Sequence, residues 1–345
     1  MEVKMFQRSI VLLLTITVVM FTFAGTALAV SGAGAIALEF PIGARYNALG
    51  EAGTALSQDA TSIWWNPAGL AFAGDNYKGQ AHAMHSKLVP DLADDITLSW
   101  VGYTSRMGTG NFGTGLTYLS MGDQVATNDA GEVIGNFTSY MFAFTTAYGT
   151  RVSENLGVGF GVKYYRDKLA PDEVLQDGSG GTGSTYAFDA GLLWKIPALK
   201  MNVAVAVANL GKSIKHVDDA QSDPLPRKLT LGVARSLFYT DATSLLFVAD
   251  YLIPLMDWNE DQDDYGFAPD FDETEWGAGL EWGYDKSLFL RFGYKKGTGQ
   301  IEDMTWGLGL DLGKWVGQDI LFGYAAIPQA KGLVKVNRFS IGYNF

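Results

Sequence analysis

The most constraining feature of this chain is a period of two. In 336–345, Phe339, Ile341, Tyr343 and Phe345 fall on one parity and Arg338, Ser340, Gly342 and Asn344 on the other. Successive side chains of a strand point to opposite faces, so such a segment has one greasy side and one polar or small side. The pattern recurs. Trp276, Ala278, Leu280, Trp282 and Tyr284 alternate with Glu275, Gly277, Gly279, Glu281 and Gly283. Leu156, Val158, Phe160, Val162 and Tyr164 alternate with Gly157, Gly159, Gly161 and Lys163, and Trp306, Leu308, Leu310 and Leu312 with Thr305, Gly307, Gly309 and Asp311. Val203, Val205 and Val207 alternate with Ala204, Ala206 and Ala208. About fourteen such strands are predicted, near 77–85, 94–103, 110–119, 138–150, 156–165, 185–194, 201–209, 227–236, 244–252, 275–284, 288–294, 304–312, 320–326 and 336–345.

A soluble sandwich or propeller would turn its greasy face inward. Here the other face is mostly Gly, Ala and Thr with occasional charges, which suits a crowded lumen. Tyr164, Trp194, Tyr284, Tyr294 and Tyr343 near strand ends suit interfacial girdles. Charged residues make up only 18% of the chain, with 42 glycines, 13% aromatics and a mean hydropathy of +0.06. That hydropathy is too low for a bundle of membrane helices, and the low charge does not suit a soluble α/β enzyme. The fold class expected is therefore all-β: a transmembrane, antiparallel outer-membrane β-barrel of a Gram-negative-type envelope.

The start of the chain reads as an export signal. Lys4 and Arg8 form a positive region, residues 10–23 an apolar core, and Ala27-Leu28-Ala29 a cleavage site. The expected division is signal peptide 1–29, an N-terminal hatch in the lumen at 30–76, and the transmembrane barrel at 77–345. An uncleaved anchor helix is the alternative for the leader. Loss of Glu2, Lys4 and Arg8 leaves 23 basic and 36 acidic residues, a charge of −13. After Val30 no apolar run approaches the roughly 18 residues of a helical span.

Connections support the barrel independently. Those at 120–137, 167–184, 211–226 and 253–274 read as long, and those at 151–155, 195–200, 237–243 and 285–287 as short. Outer-membrane barrels put long loops outside and short turns in the periplasm. An even strand count leaves both termini on the periplasmic side. Fourteen strands enclose a space too wide for wall side chains alone to fill, so the small-residue-rich segment before the first strand is expected to plug it.

That segment carries a recognisable run: Gly43-Ala44-Arg45, then 49–55 (LGEAGTA), then 59–71 (DATSIWWNPAGLA). It resembles the opening of the PorV/PorQ family and, more distantly, the FadL-type hydrocarbon transporters, which share an Asn-Pro-Ala element near the hatch. The detailed match covers about thirty residues of the chain; the rest agrees in architecture and in the terminal Phe345, which the resemblance makes an assembly signal. The resemblance implies a 14-stranded barrel with a hatch and either of two roles. One assists type IX protein secretion or surface attachment, receiving cargo by its C-terminal signal domain. The other is passive passage of hydrophobic small molecules. The expected partners are outer-membrane lipid, with secreted cargo proteins and secretion components in the first case and a hydrophobic small molecule in the second.

The candidate ligand or hatch residues are Arg45, Trp64, Trp65, Asn66, Pro67, Ala68, Gly69 and Leu70. Pro67 fixes a turn and Asn66 can bond nearby backbone. Trp64 and Trp65 offer apolar area with a polar N–H tip. Two readings stand for this motif: it wedges the hatch against the wall, or it touches ligand. Arg45 is expected to pair with a lumenal carboxylate.

Lys163, Asp189, Lys228, Asp250, Glu281, Arg291, Asp311 and Arg338 fall on predicted lumen faces, where a charge needs water or a partner. They read as an ionic mesh holding the hatch, or else as a selectivity lining. The acidic 257–273 segment lacks EF-hand spacing; a solvated outer loop, a Ca²⁺ site and, through Trp258, Tyr265, Phe267 and Phe271, a partner surface all remain open for it.

His82 and His85 are three apart on a strand and point to opposite faces, and His216 stands alone, so no metal site is expected. The chain has no cysteine, which excludes disulfides, thiolate ligands and a lipid anchor on Cys. Gly211-Lys212-Ser213 lacks the upstream Gly of a P-loop, Ala206 standing there. No nucleophile elbow occurs. No enzyme activity and no cofactor are expected, and a charge of −12 disfavours nucleic acid.

Overall fold

The computed structural model describes residues 33–75, 77–128, 130–170, 181–216, 222–259, 264–297, 301–329 and 333–345. The leader with its Ala27-Leu28-Ala29 site, and Glu260, Asp261 and Asp263 of the acidic segment, lie outside them.

Eighteen strands are described. In chain order the first seven are β1 (Gly79–Val89), β2 (Ala93–Met107), β3 (Gly110–Thr127), β4 (Val133–Ser153), β5 (Leu156–Ala170), β6 (Gly181–Ile196) and β7 (Met201–Gly211). A small hairpin, β8 (Ile214–Lys215) and β9 (Ser222–Asp223), precedes β10 (Lys228–Tyr239) and β11 (Thr243–Pro254). A second, β12 (Asp257–Asn259) and β13 (Asp264–Gly266), precedes β14 (Glu275–Tyr284), β15 (Leu288–Lys296), β16 (Glu302–Asp311), β17 (Ile320–Ile327) and β18 (Val336–Asn344). The fourteen outside the two hairpins form one closed antiparallel barrel. Its seam pairs β1 with β18 from Gln80↔Asn344 to Ser86↔Arg338. Closure leaves no strand edge along the wall, which the hydrocarbon of a bilayer demands. Among the described residues no helix is long and apolar enough to cross a membrane.

The alternation sets which side is out. Phe160, Phe292 and Ile341 are 52%, 63% and 52% exposed, whereas Lys163, Arg291 and Arg338, on the opposite parity, are buried inside. Tyr118, Tyr140, Phe142, Tyr164 and Tyr186 form a row of neighbouring rings across β3 to β6, 5.2–6.5 Å apart. At the terminal end, Phe345 stacks between Tyr103 and Tyr343. The Phe345 carbonyl accepts N–H bonds from Lys78 and Gly79, fastening the chain end to the start of the wall.

All fourteen predicted strands occur, most of them extended by a few residues. One expectation fails. The connection read as 120–137 is mostly strand, because β3 runs to Thr127 and β4 starts at Val133. The register shifts between Ser120 and Asp123, where Gly122 takes a positive φ of 73°. That shift breaks the parity, and beyond it both faces of the hairpin lie outside lipid. Twenty-one residues in β4, at about 3.3 Å each and tilted about 45°, rise about 50 Å, about twice an apolar band of ~25 Å.

Residues 33–75 fold inside the barrel as single turns: 3₁₀ at Ile36–Leu38 and Pro67–Gly69, and α-helical at Ala44–Asn47, Ser62–Trp65 and Leu70–Ala73. The segment enters at the outer end, where Gly34 N–H bonds Pro224 C=O at 2.9 Å. It leaves at the periplasmic end, where Asp75 pairs with Arg151 and Lys195. The inner glycines explain how it fits. A Cβ on Gly277 would lie 1.8 Å from Gly50 O, and one on Gly159 2.1 Å from Pro67 C. Wall and plug therefore touch backbone to backbone, which only a face without side chains permits.

Candidate functional site: the gripped plug and the outer cavity

The wall grips the plug through inward polar side chains. Glu281 accepts from Arg45 Nη2 at 2.6 Å and Arg45 Nε at 2.9 Å, and from Arg291 Nε at 2.7 Å, so one carboxylate serves a plug cation and a wall cation. Asp250 Oδ2 accepts the backbone N–H groups of Gly53 and Thr54, both at 2.8 Å. Arg338 donates to Pro41 O and, at 2.6 Å, to Asn47 Oδ1. Lys295 pairs with Glu51. Thr305 Oγ1 accepts from Gly50 N–H and donates to Ala48 O, each at 2.9 Å. These bonds satisfy plug backbone that would otherwise be buried without partners.

Three predicted lumen charges, Lys163, Asp189 and Asp311, lie elsewhere. Lys163 pairs with Asp189 at 2.7 Å, and both bond Asn209, which has a φ of +61° at the irregularity between β6 and β7. Asn209 in turn donates to Pro226 O at 2.8 Å, so this trio anchors an outer connection, not the plug. Asp311 sits half-buried at the periplasmic rim and accepts the Gly313 N–H of its own turn, because the inward parity carries it beyond the plug.

Within the Trp-Trp-Asn-Pro motif the side chains divide. Asn66 Nδ2 donates to Thr54 O and to Leu192 O of the wall, both 3.1 Å, while its Oδ1 accepts from Ala68 N–H at 3.0 Å. Pro67, Ala68, Gly69 and Leu70 are buried against β4 to β6, with Leu70 O held by Asn111 at 2.6 Å. Trp65 donates its indole N–H to Ile42 O at 3.1 Å and lies against Trp64, 4.7 Å between rings. Trp64 and Trp65 instead line a cavity.

That cavity has a volume of about 580 Å³ and lies between the plug and the outer end of the barrel. Its apolar lining includes Phe40, Trp64, Leu119, Met121, Leu252 and Met256. Lys228 stands in it with Nζ 4.3 Å over the Trp64 ring. The carboxylates of Glu275 and Glu39, which line the same cavity, attract that ammonium. Asp250 and Arg338, engaged by the plug, and the Glu51–Lys295 pair between plug and wall form polar points on the lining. The volume and largely apolar lining with a few polar points are those of a small-ligand or side-chain pocket.

Sequence reasoning missed Gln80, Asn111, Asn202 and Thr305 as grips; each sits at an inward parity position. Their partners Ala60, Leu70, Ala55, and Ala48 with Gly50, lie far away in the chain, so parity alone could suggest orientation but not contact. His82 meets Trp100 edge-on inside, His85 bonds Ser99 outside, and His216 bonds Asp167 at 2.8 Å. Among the described residues no group of three or more metal-ligating side chains converges.

A model of the family described as type IX secretion system protein PorV matches residues 33–252, covering the plug and the wall as far as β11. No curated protein matches. Among solved structures, the Pseudomonas putida toluene transporter TodX is similar with a TM-score of 0.54 at 14% identity, over 87% of this chain and 96% of that one. The CymD monoaromatic hydrocarbon channel gives 0.57 at 13%, over 88% and 97%. A Pseudomonas aeruginosa FadL homologue gives 0.51 at 12%, over 93% and 100%. At these identities the likeness is one of fold alone.

Proposed function

This chain belongs to the PorV family of type IX secretion proteins, and from that premise we propose that it assists secretion or surface attachment of proteins at the outer membrane. The match over 33–252 carries the reading, because it spans the gripped plug as well as the wall. The geometry supports it. A plug held at Glu281, Asp250, Thr305 and Arg338 suits a receptor open to the outside better than a through-channel. Cargo proteins presented at the outer face, and neighbouring secretion components, are the partners this role needs. Deletion of the gene is expected to leave proteins with C-terminal sorting domains in the periplasm, scored by surface proteolysis and fractionation. Normal export in the deletion strain would end this reading.

One observation favours a second reading, passage of hydrophobic small molecules: the apolar cavity beside Trp64. Radiolabelled toluene uptake by cells with and without the protein separates the two. Equal uptake removes the second reading and leaves the first untouched.

A further inference from the structure

On β5 the parity that turns Phe160 and Tyr164 towards lipid also turns Arg166 and Lys168 outward, while Asp167 between them is buried. Arg166 lies between Phe142 of β4 and Ser184 of β6, and Lys168 between Tyr140 and Thr182. No carboxylate stands among these four register neighbours. Among the described residues neither cation forms an ion pair or a side-chain hydrogen bond, and Asp123, two strands away, is engaged by the Thr138 hydroxyl at 2.8 Å. Lys212, exposed just past the Ala187↔Gly211 pair of β6 and β7, extends the positive group along the wall. Other cations on the outer part of the wall stand against acids: Lys87 pairs with Asp94, Lys335 with Asp303, and Lys296 has Glu302 as its register partner. Depth adds a second observation. Arg166 is one outward position beyond Tyr164, whose ring neighbours Phe142 and Tyr186 in the aromatic row. Counted from Leu156 at the periplasmic end of β5, about 3.3 Å per residue at a tilt of about 45° puts Tyr164 roughly 19 Å, Arg166 roughly 23 Å and Lys168 roughly 28 Å up the wall. The two cations therefore bracket the outer edge of an apolar band of ~25 Å.

We propose that Arg166 and Lys168, with the Ser184 and Thr182 hydroxyls beside them, bind the phosphate of an outer-leaflet glycolipid whose acyl chains lie along the ring row of β4 to β6. Charge and geometry select phosphate. A guanidinium fork holds two of its oxygens, an ammonium adds a point charge, and hydroxyls donate to what remains. Depth selects a lipid as its bearer. The cations stand where head groups meet hydrocarbon, continuous with rings that need acyl chains against them. A soluble phosphate ester would leave those rings uncovered, and an acidic protein would have to descend to the bilayer surface to reach Arg166. The attraction is local, because a chain with a net charge of −12 is repelled as a whole by an anionic leaflet. The proposal concerns how the wall is held in its leaflet and stands whichever of the two transport readings holds.

The test is native mass spectrometry of the detergent-solubilised mature chain, with lipid added in mixed micelles containing EDTA. The probes are diphosphoryl lipid A, the same lipid A stripped of phosphate, and inorganic phosphate alone. Diphosphoryl lipid A is expected to remain bound through detergent removal, and the stripped lipid and inorganic phosphate to be retained several-fold less. The double variant Arg166→Gln, Lys168→Gln is expected to lose about tenfold in retention of diphosphoryl lipid A. The control Lys87→Gln, Lys335→Gln, which removes cations that already have carboxylate partners, is expected to lose nothing. Heat-modifiable gel mobility confirms that each variant is folded. Equal retention of the stripped lipid, undiminished retention in the Arg166 and Lys168 double variant, or inorganic phosphate held as tightly as lipid A overturns the proposal. So does binding that requires Mg²⁺ in place of EDTA, since that would assign the lipid to carboxylates. Asp172, Glu173 and Asp177 of the next connection lie outside the described residues. Retention gained only in the variant Asp172→Asn, Glu173→Gln, Asp177→Asn would give the two cations to that connection and overturn the proposal as well.

Discussion

Glu281 holds two guanidinium groups with one carboxylate, and the consequences of losing it differ from those of losing either partner. Glu281→Gln leaves Arg291, 7% exposed, without its counter-charge inside the wall. Stranding a buried charge costs about 3–5 kcal/mol; a value near 3 is expected because Arg45 is 36% exposed and partly solvated. Arg45→Met keeps the Arg291–Glu281 pair and should cost less than half as much. Urea midpoints of the detergent-solubilised protein, followed by tryptophan emission, give the order; equal losses would show that the carboxylate is not shared. At the other end of the chain, Phe345 bonds Lys78 and Gly79 through its carbonyl and stacks on Tyr103. Its deletion is expected to lower the assembled fraction on heat-modifiable gels several-fold while leaving synthesis unchanged. Full assembly without it would make the aromatic stack dispensable.

At the scale of elements, the interior depends on bare backbone. A Cβ at Gly277 meets Gly50 O, whereas one at Gly135, on the hairpin above the membrane, meets nothing within 4 Å. Gly277→Val is therefore expected to displace the plug from a barrel that still closes, so that trypsin cuts at Arg45 within minutes, while Gly135→Val stays resistant. This contrast also explains what was legible in the amino-acid order. Wherever a strand has lipid on one side and lumen on the other, parity reports it, and Arg338, Glu281 and Lys163 were placed inside by parity alone. It falls silent in 122–138, where water lies on both sides of the hairpin and no side is selected. It is equally silent on pairing across the lumen. That Asn66 reaches Leu192, and that Trp64 faces a cavity while Pro67 and Leu70 face wall, are facts of three-dimensional closure.

For the molecule as a whole, the sign of one substitution separates a lipid-embedded wall from a water-soluble one. Phe292, midway along β15, and Val125, on the hairpin beyond the membrane, are 63% and 61% exposed. In water the two positions are equivalent surface sites, and replacing either by Arg changes stability by less than about 0.5 kcal/mol. In a bilayer they are not. An Arg at mid-depth on the lipid face costs about 2–4 kcal/mol, falling towards zero outside the apolar band. Phe292→Arg is therefore expected to shift folding into liposomes strongly towards the unfolded form, and Val125→Arg to leave it unchanged. Because exposure is matched, the difference reports depth in hydrocarbon alone. The same hydrocarbon requires the closed β1–β18 seam, turns the aromatic rows outward and leaves an inner face smooth enough to hold the plug.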